Sequence, residues 1–239
     1  MNERNGEEMK LCGLQKTTLL DYPGHVAATI FLGGCNFRCP FCHNSSLIGN
    51  DVQSEFSEEE IFNFLIKRKG ILEGVCITGG EPTLSGDLES LVRKIRDLGY
   101  LIKLDTNGYR PDVLKKLITD GLLDYVAMDI KSGREHYKKA AGINGLKIGN
   151  IEESAAFLME NRISYEFRTT VVKGIHSMVD FVDIGNWLEG DSLYFLQNYV
   201  DSDQVLCPGY ASFSDRELHG FLNILKPFIP RTELRGESY

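Results

Sequence analysis

Three cysteines fall within eight residues at Cys35-Asn36-Phe37-Arg38-Cys39-Pro40-Phe41-Cys42. This spacing puts three thiols on one short loop. Thiolates are soft ligands that select zinc, Cu(I) or iron–sulfur clusters. An iron–sulfur site usually takes four cysteines, so a set of three leaves one metal position open to a small ligand. The competing assignment is a structural zinc site of the Cys3His type, completed by His43 or His25. Zinc accounts for the cysteines alone.

Other chemistry-bearing residues recur at the ends of apolar runs. Gly33-Gly34-Cys35 follows Val26–Leu32, Gly79-Gly80-Glu81-Pro82 follows Val75–Thr78, Asp105-Thr106-Asn107-Gly108 follows Leu101–Leu104, and Asp129-Ile130-Lys131 closes Tyr125–Ile130. In parallel α/β folds, sites gather at the carboxyl ends of strands. Four clusters at one edge argue for a shared site. Asp105, Thr106 and Asp129 form an oxygen-rich set suited to a hard cation, a cationic amine or ribose hydroxyls; helix capping by Asp105 or Asn107 is the plainer reading. Lys131 suits a ligand carboxylate or Asp129. Arg168 lies inside an apolar run and needs a partner there. Cys76 reads as a core thiol. Cys12 and Cys207 stand apart from the cluster, and Trp187 reads as helix packing. His136, His176 and His219 read as surface or loop residues.

The elements that carry these clusters alternate. Beyond the four runs above, Tyr165–Val172 and Leu193–Leu196 give a fifth and sixth strand. Helices are expected from the capping box Ser57/Glu60, from the stripe Leu88, Leu91, Val92 and Ile95 closed by Gly99, from Pro111 with Leu114, Leu117 and Ile118, near Glu152–Asn161, over Met178–Leu188, and from the box Ser214/Glu217. Six βα units with right-handed crossovers predict an incomplete (β/α)6 parallel barrel, with a doubly wound sheet as the alternative.

The chain has 239 residues, 42% apolar and 25% charged, which fits a single domain spanning 1–239 with residues 1–10 as a flexible leading segment. A net charge of −8 disfavours binding to a nucleic-acid backbone. No signal peptide is evident, and the longest apolar run is too short to span a bilayer. The expectation is a soluble cytoplasmic protein with no membrane partner, in which clustered cysteines bind metal rather than form disulfides.

The cysteine motif, together with Ile77-Thr78-Gly79-Gly80-Glu81-Pro82-Thr83, resembles the radical S-adenosylmethionine (SAM) superfamily. Gly13-Leu14-Gln15-Lys16-Thr17-Thr18-Leu19-Leu20-Asp21-Tyr22-Pro23-Gly24, Leu104–Gly108, Ala127–Lys131 and Glu166–Val172 narrow the resemblance to the glycyl-radical-enzyme activases, and within them to the activating proteins of anaerobic ribonucleoside-triphosphate reductase. The resemblance implies an oxidoreductase. Cys35, Cys39 and Cys42 would hold one [4Fe–4S] cluster, and the fourth iron would chelate the amino and carboxylate groups of SAM. Gly79, Gly80 and Glu81 would take the SAM amine. Lys131 and Arg168 would contact SAM, and Phe41 would lie near its adenine. Asp105, Thr106 and Asp129 would hold a monovalent cation. A reducing protein such as flavodoxin or ferredoxin would supply the electron. The 5′-deoxyadenosyl radical released by SAM cleavage would take a hydrogen atom from a glycine of the partner.

Overall fold

The computed structural model describes residues 9–49 and 51–236. Most of the expected leading segment, residues 1–8, lies outside the described residues. Lys10 is already anchored, its carbonyl accepting the Gly33 amide at 2.9 Å.

The elements run β1 (Leu11–Thr18), β2 (Ala27–Leu32), α1 (Glu58–Lys67), β3 (Gly74–Gly79), α2 (Leu88–Asp97), β4 (Leu101–Thr106), α3 (Pro111–Thr119), β5 (Tyr125–Asp129), α4 (Tyr137–Ala141), α5 (Ile148–Met159), β6 (Ser164–Val171), α6 (Met178–Trp187), β7 (Tyr194–Asn198), α7 (Asp215–Leu225) and β8 (Thr232–Arg235). The strand order follows the sequence from β1 to β8. That order has two ends, so the sheet is open. The six expected βα units are β2 to β7 with the helices that follow them. Two strands add to them: β1, antiparallel to β2, and β8, parallel to β7.

The chain divides into two compact units. The first holds residues up to Asn36, Ser46–Thr106 and Asp112–Val126. Here β2 pairs with β3, and β3 with β4, both in parallel. Their middle residues are fully buried, among them Ile30, Ile77, Ile102 and Leu104. The α2 stripe of Leu88, Leu91, Val92 and Ile95 is buried as its periodicity requires. Ser57 caps α1 reciprocally with Glu60, satisfying two amides that the helix start leaves without partners.

The second unit holds Phe37–Ser45, Asn107–Pro111 and the chain from Ala127 onward. β6 pairs with β7, and β7 with β8, in parallel. Ser214 and Glu217 cap α7 as the sequence predicts. Helix α5 begins at Ile148, earlier than the expected Glu152, with no side-chain cap to mark its start. No helix among the described residues is long and apolar enough to cross a membrane.

Candidate functional site

In the first unit the strand-end turns after β2 and β3 meet backbone to backbone. The Gly80 amide donates to the Leu32 carbonyl at 2.8 Å, and the Glu81 amide to the Gly34 carbonyl at 2.8 Å. A Cβ on Gly80 would stand 2.1 Å from the Gly34 carbonyl oxygen, and one on Gly79, at φ +121°, 2.2 Å from that of Leu32. Only glycine fits either position. The Gly-Gly-Glu-Pro turn is therefore locked onto the turn that carries Cys35. Glu81 is nearly fully buried. Its Oε1 accepts from the Thr83 amide at 3.1 Å, from the Thr83 hydroxyl, and from the Thr106 hydroxyl at 2.8 Å. Thr106 thus ties the end of β4 to the glycine turn. Beside it, Asp105 is paired with the buried Lys103 ammonium.

In the second unit Cys39 and Cys42 close a tight turn, with the Cys42 amide donating to the Cys39 carbonyl at 3.0 Å. The loop after β7 grips this turn. The Cys207 amide donates to the Pro40 carbonyl at 2.8 Å, the Leu206 amide to the Cys42 carbonyl at 3.2 Å, and the Ser45 hydroxyl to the Gln204 carbonyl at 2.5 Å. Sequence reading set Cys207 apart, yet its backbone lies against the cysteine loop; Pro40 and Cys207 are far apart in the chain, so the pairing leaves no local signal.

Burial pushes the Cys39 thiol up to about 11, with the Lys131 ammonium pulling the other way. Burial raises Cys42 too, again against Lys131. A buried thiol becomes a thiolate when a metal displaces its proton. Lys131 supplies a cation beside both sulfurs, whose field favours that form.

Asp129 is the hub of the second unit's charges. Arg168 Nε donates to its Oδ1 at 3.0 Å and Lys131 Nζ to its Oδ2 at 2.9 Å. Burial alone would raise the Asp129 carboxyl; the Arg168 guanidinium and then Lys131 overrule it and hold it well below the usual carboxylate range. Burial would likewise lower Lys131, but Asp129 outweighs it and the ammonium is held charged. Arg168 has the partner its strand position requires, and Lys131 has taken Asp129. Arg168 and Lys131 thus bring two cationic groups to one carboxylate.

His176 departs from expectation. It is buried, with Nδ1 accepting the Val172 amide at 2.9 Å, Nε2 at 2.8 Å from the Lys131 carbonyl oxygen, and its ring 6.3 Å edge-on from that of Phe41. His136 also has a partner, Asp180 Oδ1 at 2.8 Å, and His219 Nδ1 meets the Asp215 carbonyl at 2.8 Å. For the zinc alternative, His25 Nδ1 meets Glu73 at 3.2 Å and His43 Nε2 meets the Val200 carbonyl at 2.5 Å, so each candidate imidazole has a nitrogen committed elsewhere. No group of three His, Cys, Asp or Glu side chains among the described residues is placed to hold a bare metal ion. Cys76 is buried as expected, and Trp187 packs against Tyr137 at 6.2 Å between ring centroids.

Residues 29–187 match the family described as the radical SAM superfamily, which covers more than half of the chain. The chain belongs to the radical SAM superfamily. A protein of Methanocaldococcus jannaschii named as a glycyl-radical enzyme activating enzyme is 34% identical over 198 residues, covering 80% of each chain. A second protein of that organism carrying the same name is 28% identical over 72% of this chain and 67% of its own. A Thermococcus kodakarensis protein named as a GTP 3′,8-cyclase is 33% identical over 62% of this chain, which spans 49% of that relative. Among solved structures, Streptococcus suis SuiB bound to S-adenosylmethionine superposes with a TM-score of 0.63 at 15% identity, over 86% of this chain and 48% of that one. That likeness shows the fold. The open, mostly parallel α/β sheet is thus that of a radical SAM enzyme, and the family implies both SAM and a [4Fe–4S] cluster. The three thiols fit such a cluster: the donors are soft and a cation stands beside two of them. The expected monovalent cation does not fit, because Asp105 is already paired with Lys103, and Asp129 with Lys131 and Arg168.

Proposed function

We propose that this radical SAM enzyme is an oxidoreductase that activates anaerobic ribonucleoside-triphosphate reductase by taking a hydrogen atom from one of its glycines. The relative named as a glycyl-radical enzyme activating enzyme, 34% identical across four-fifths of both chains, carries the activase reading. The choice of the reductase rests on the opening segment Gly13–Gly24. Cys35, Cys39 and Cys42 would hold the cluster. The Gly79–Glu81 turn would receive the SAM amine. Lys131 and Arg168 would orient the SAM carboxylate, since an ammonium and a guanidinium both donate charge-assisted hydrogen bonds to a carboxylate. Phe41 would flank the adenine.

When bound, the reduced cluster and SAM supply a 5′-deoxyadenosyl radical and methionine. The chain's own residues bind, orient and exclude solvent. Lys131 holds a cation beside Cys39 and Cys42, and Glu81 with Thr106 fixes the glycine turn. A flavodoxin or ferredoxin would deliver the electron, and the cytoplasm would be the setting.

Electron paramagnetic resonance tests this reading. Anaerobically reconstituted protein, SAM and a reductant are mixed with the candidate reductase. A glycyl doublet that requires SAM and disappears in Cys39→Ala is expected. SAM cleavage without the doublet would reject the reductase as partner and turn attention to another glycyl radical enzyme, or to a small-molecule substrate, the reading suggested by the relatives named as GTP 3′,8-cyclases. A protein with a full cluster that cleaves no SAM would remove the activase reading.

A further inference from the structure

Lys103 lies in the middle of β4, a strand whose neighbours in sequence are apolar, and is 1% exposed. It stands two residues before Asp105, so both side chains leave the same face of the strand. Its ammonium meets Asp105 Oδ1, and the Cys76 sulfur lies 3.8 Å from Nζ. Cys76 is its register partner on β3, and Thr29 on β2 is the register partner of Cys76. The row Thr29, Cys76, Lys103 is buried throughout. Thr29 turns its hydroxyl to Asp21 at 2.6 Å. A lysine in this setting has lost its hydration and needs an anion. The anion it holds is the carboxylate that the family resemblance assigns to a monovalent cation.

We infer that Lys103 is the built-in counter-ion of Asp105, standing where a monovalent cation was expected, so that this protein works without bound sodium or potassium. A free cation at Asp105 would face the Lys103 ammonium, and like charges at contact distance oppose each other. The ammonium is carried on the same strand as Asp105, so its pairing is intramolecular and does not depend on the salt concentration. The second expected ligand, Asp129, is separately satisfied by Lys131 and Arg168. The role of this counter-ion in SAM binding rests on the function proposed above; the pairing itself does not.

The test uses the whole protein in potassium, sodium and choline chloride at equal ionic strength. The first readout is thermal unfolding of the cluster-loaded protein. Wild type is expected to melt alike in all three salts. A saturable rise in its melting temperature specific to sodium or potassium would overturn the inference. Lys103→Met leaves Asp105 without its ammonium. It is expected to melt low in choline and to gain stability saturably from sodium or potassium. A folded Lys103→Met indifferent to all three salts would equally overturn the inference. If Lys103→Met does not fold, Lys103→Gln takes its place in the same comparison, and the wild-type arm still decides.

The second readout is SAM affinity of the cluster-loaded protein. Wild type is expected to bind equally in every salt. Lys103→Met should bind on the order of tenfold more weakly in choline, as expected for a half-buried carboxylate that has lost its ammonium, and recover in potassium or sodium. If neither protein binds SAM in any salt, the proposed function fails while the melting comparison still decides the role of Lys103.

Discussion

His176 Nε2 lies 2.8 Å from the carbonyl oxygen of Lys131. Its other nitrogen accepts the Val172 amide, so Nδ1 carries no proton and Nε2 must be the donor. One neutral imidazole therefore joins the end of β6 to the residue whose ammonium faces Cys39 and Cys42. The ring also lies edge-on to Phe41. The backbone of Lys131 and the aromatic of the cysteine loop are held from a single side chain.

Burial lowers the His176 imidazole, against smaller opposing contributions from its bond to Lys131 and from Asp180. The unfolded chain therefore binds a proton that the folded chain resists. Stability from this group is present above the unfolded value of about 6.5 and is lost as pH falls through it toward the lower folded value. Between about pH 7.5 and about pH 5.5, wild type should lose more melting temperature than His176→Gln. At neutral pH the variant should be less stable by about 1–3 kcal/mol, since a buried amide and carbonyl lose their partner. Its SAM affinity should fall as well. Parallel melting curves for the two proteins across the pH range would contradict this account.

Thr106 donates to the buried Glu81 at 2.8 Å, and that bond ties β4 to the glycine turn after β3. Thr106→Val keeps the shape and removes the donor. It should cost about 1–3 kcal/mol, the range for a lost bond to a buried acceptor. Thr106→Ser should recover most of it. Denaturant unfolding of the three proteins measures this. If serine and valine behave alike, the hydroxyl does not hold the turn.

The sequence made β2 to β7 legible because each is a short apolar run bounded by turn residues, and the helices α1 and α7 because Ser57/Glu60 and Ser214/Glu217 are capping boxes. β1 was not legible: Gln15, Lys16 and Thr17 face solvent at a sheet edge, where one partner strand suffices and no apolar run is required. β8 is four residues, Thr-Glu-Leu-Arg, too short and polar to announce itself. The start of α6 was placed correctly at Met178, although its capping box departs from the usual pattern. Asp180, not Glu or Gln, closes its capping box, accepting the Ser177 amide at 2.8 Å. The strand-end clusters were visible because chemistry-bearing residue types recur at the same phase of the βα repeat. Lys103 was overlooked, although a lysine in Leu-Ile-Lys-Leu two residues before an aspartate is a local signal. His176 left none, since its partners Lys131 and Phe41 are distant in sequence.

The short final strand is held by charge. Arg235 Nη1 and Nη2 donate to the two oxygens of Glu166, each at 2.8 Å. Glu166 is on β6 and fully buried, and the guanidinium covers the Phe195 ring of the intervening β7 at 3.7 Å. The pair thus clamps three strands. Removing the cation takes the guanidinium from a buried carboxylate, a loss of about 3–5 kcal/mol when one partner of such a pair is deleted. Arg235→Met should therefore unfold at much lower denaturant than wild type. Neutralising the carboxylate removes that penalty, so Glu166→Gln combined with Arg235→Met should stand above Arg235→Met alone. A double variant no more stable than the single one would mean that packing of Arg235 on Phe195, rather than the ion pair, secures β8.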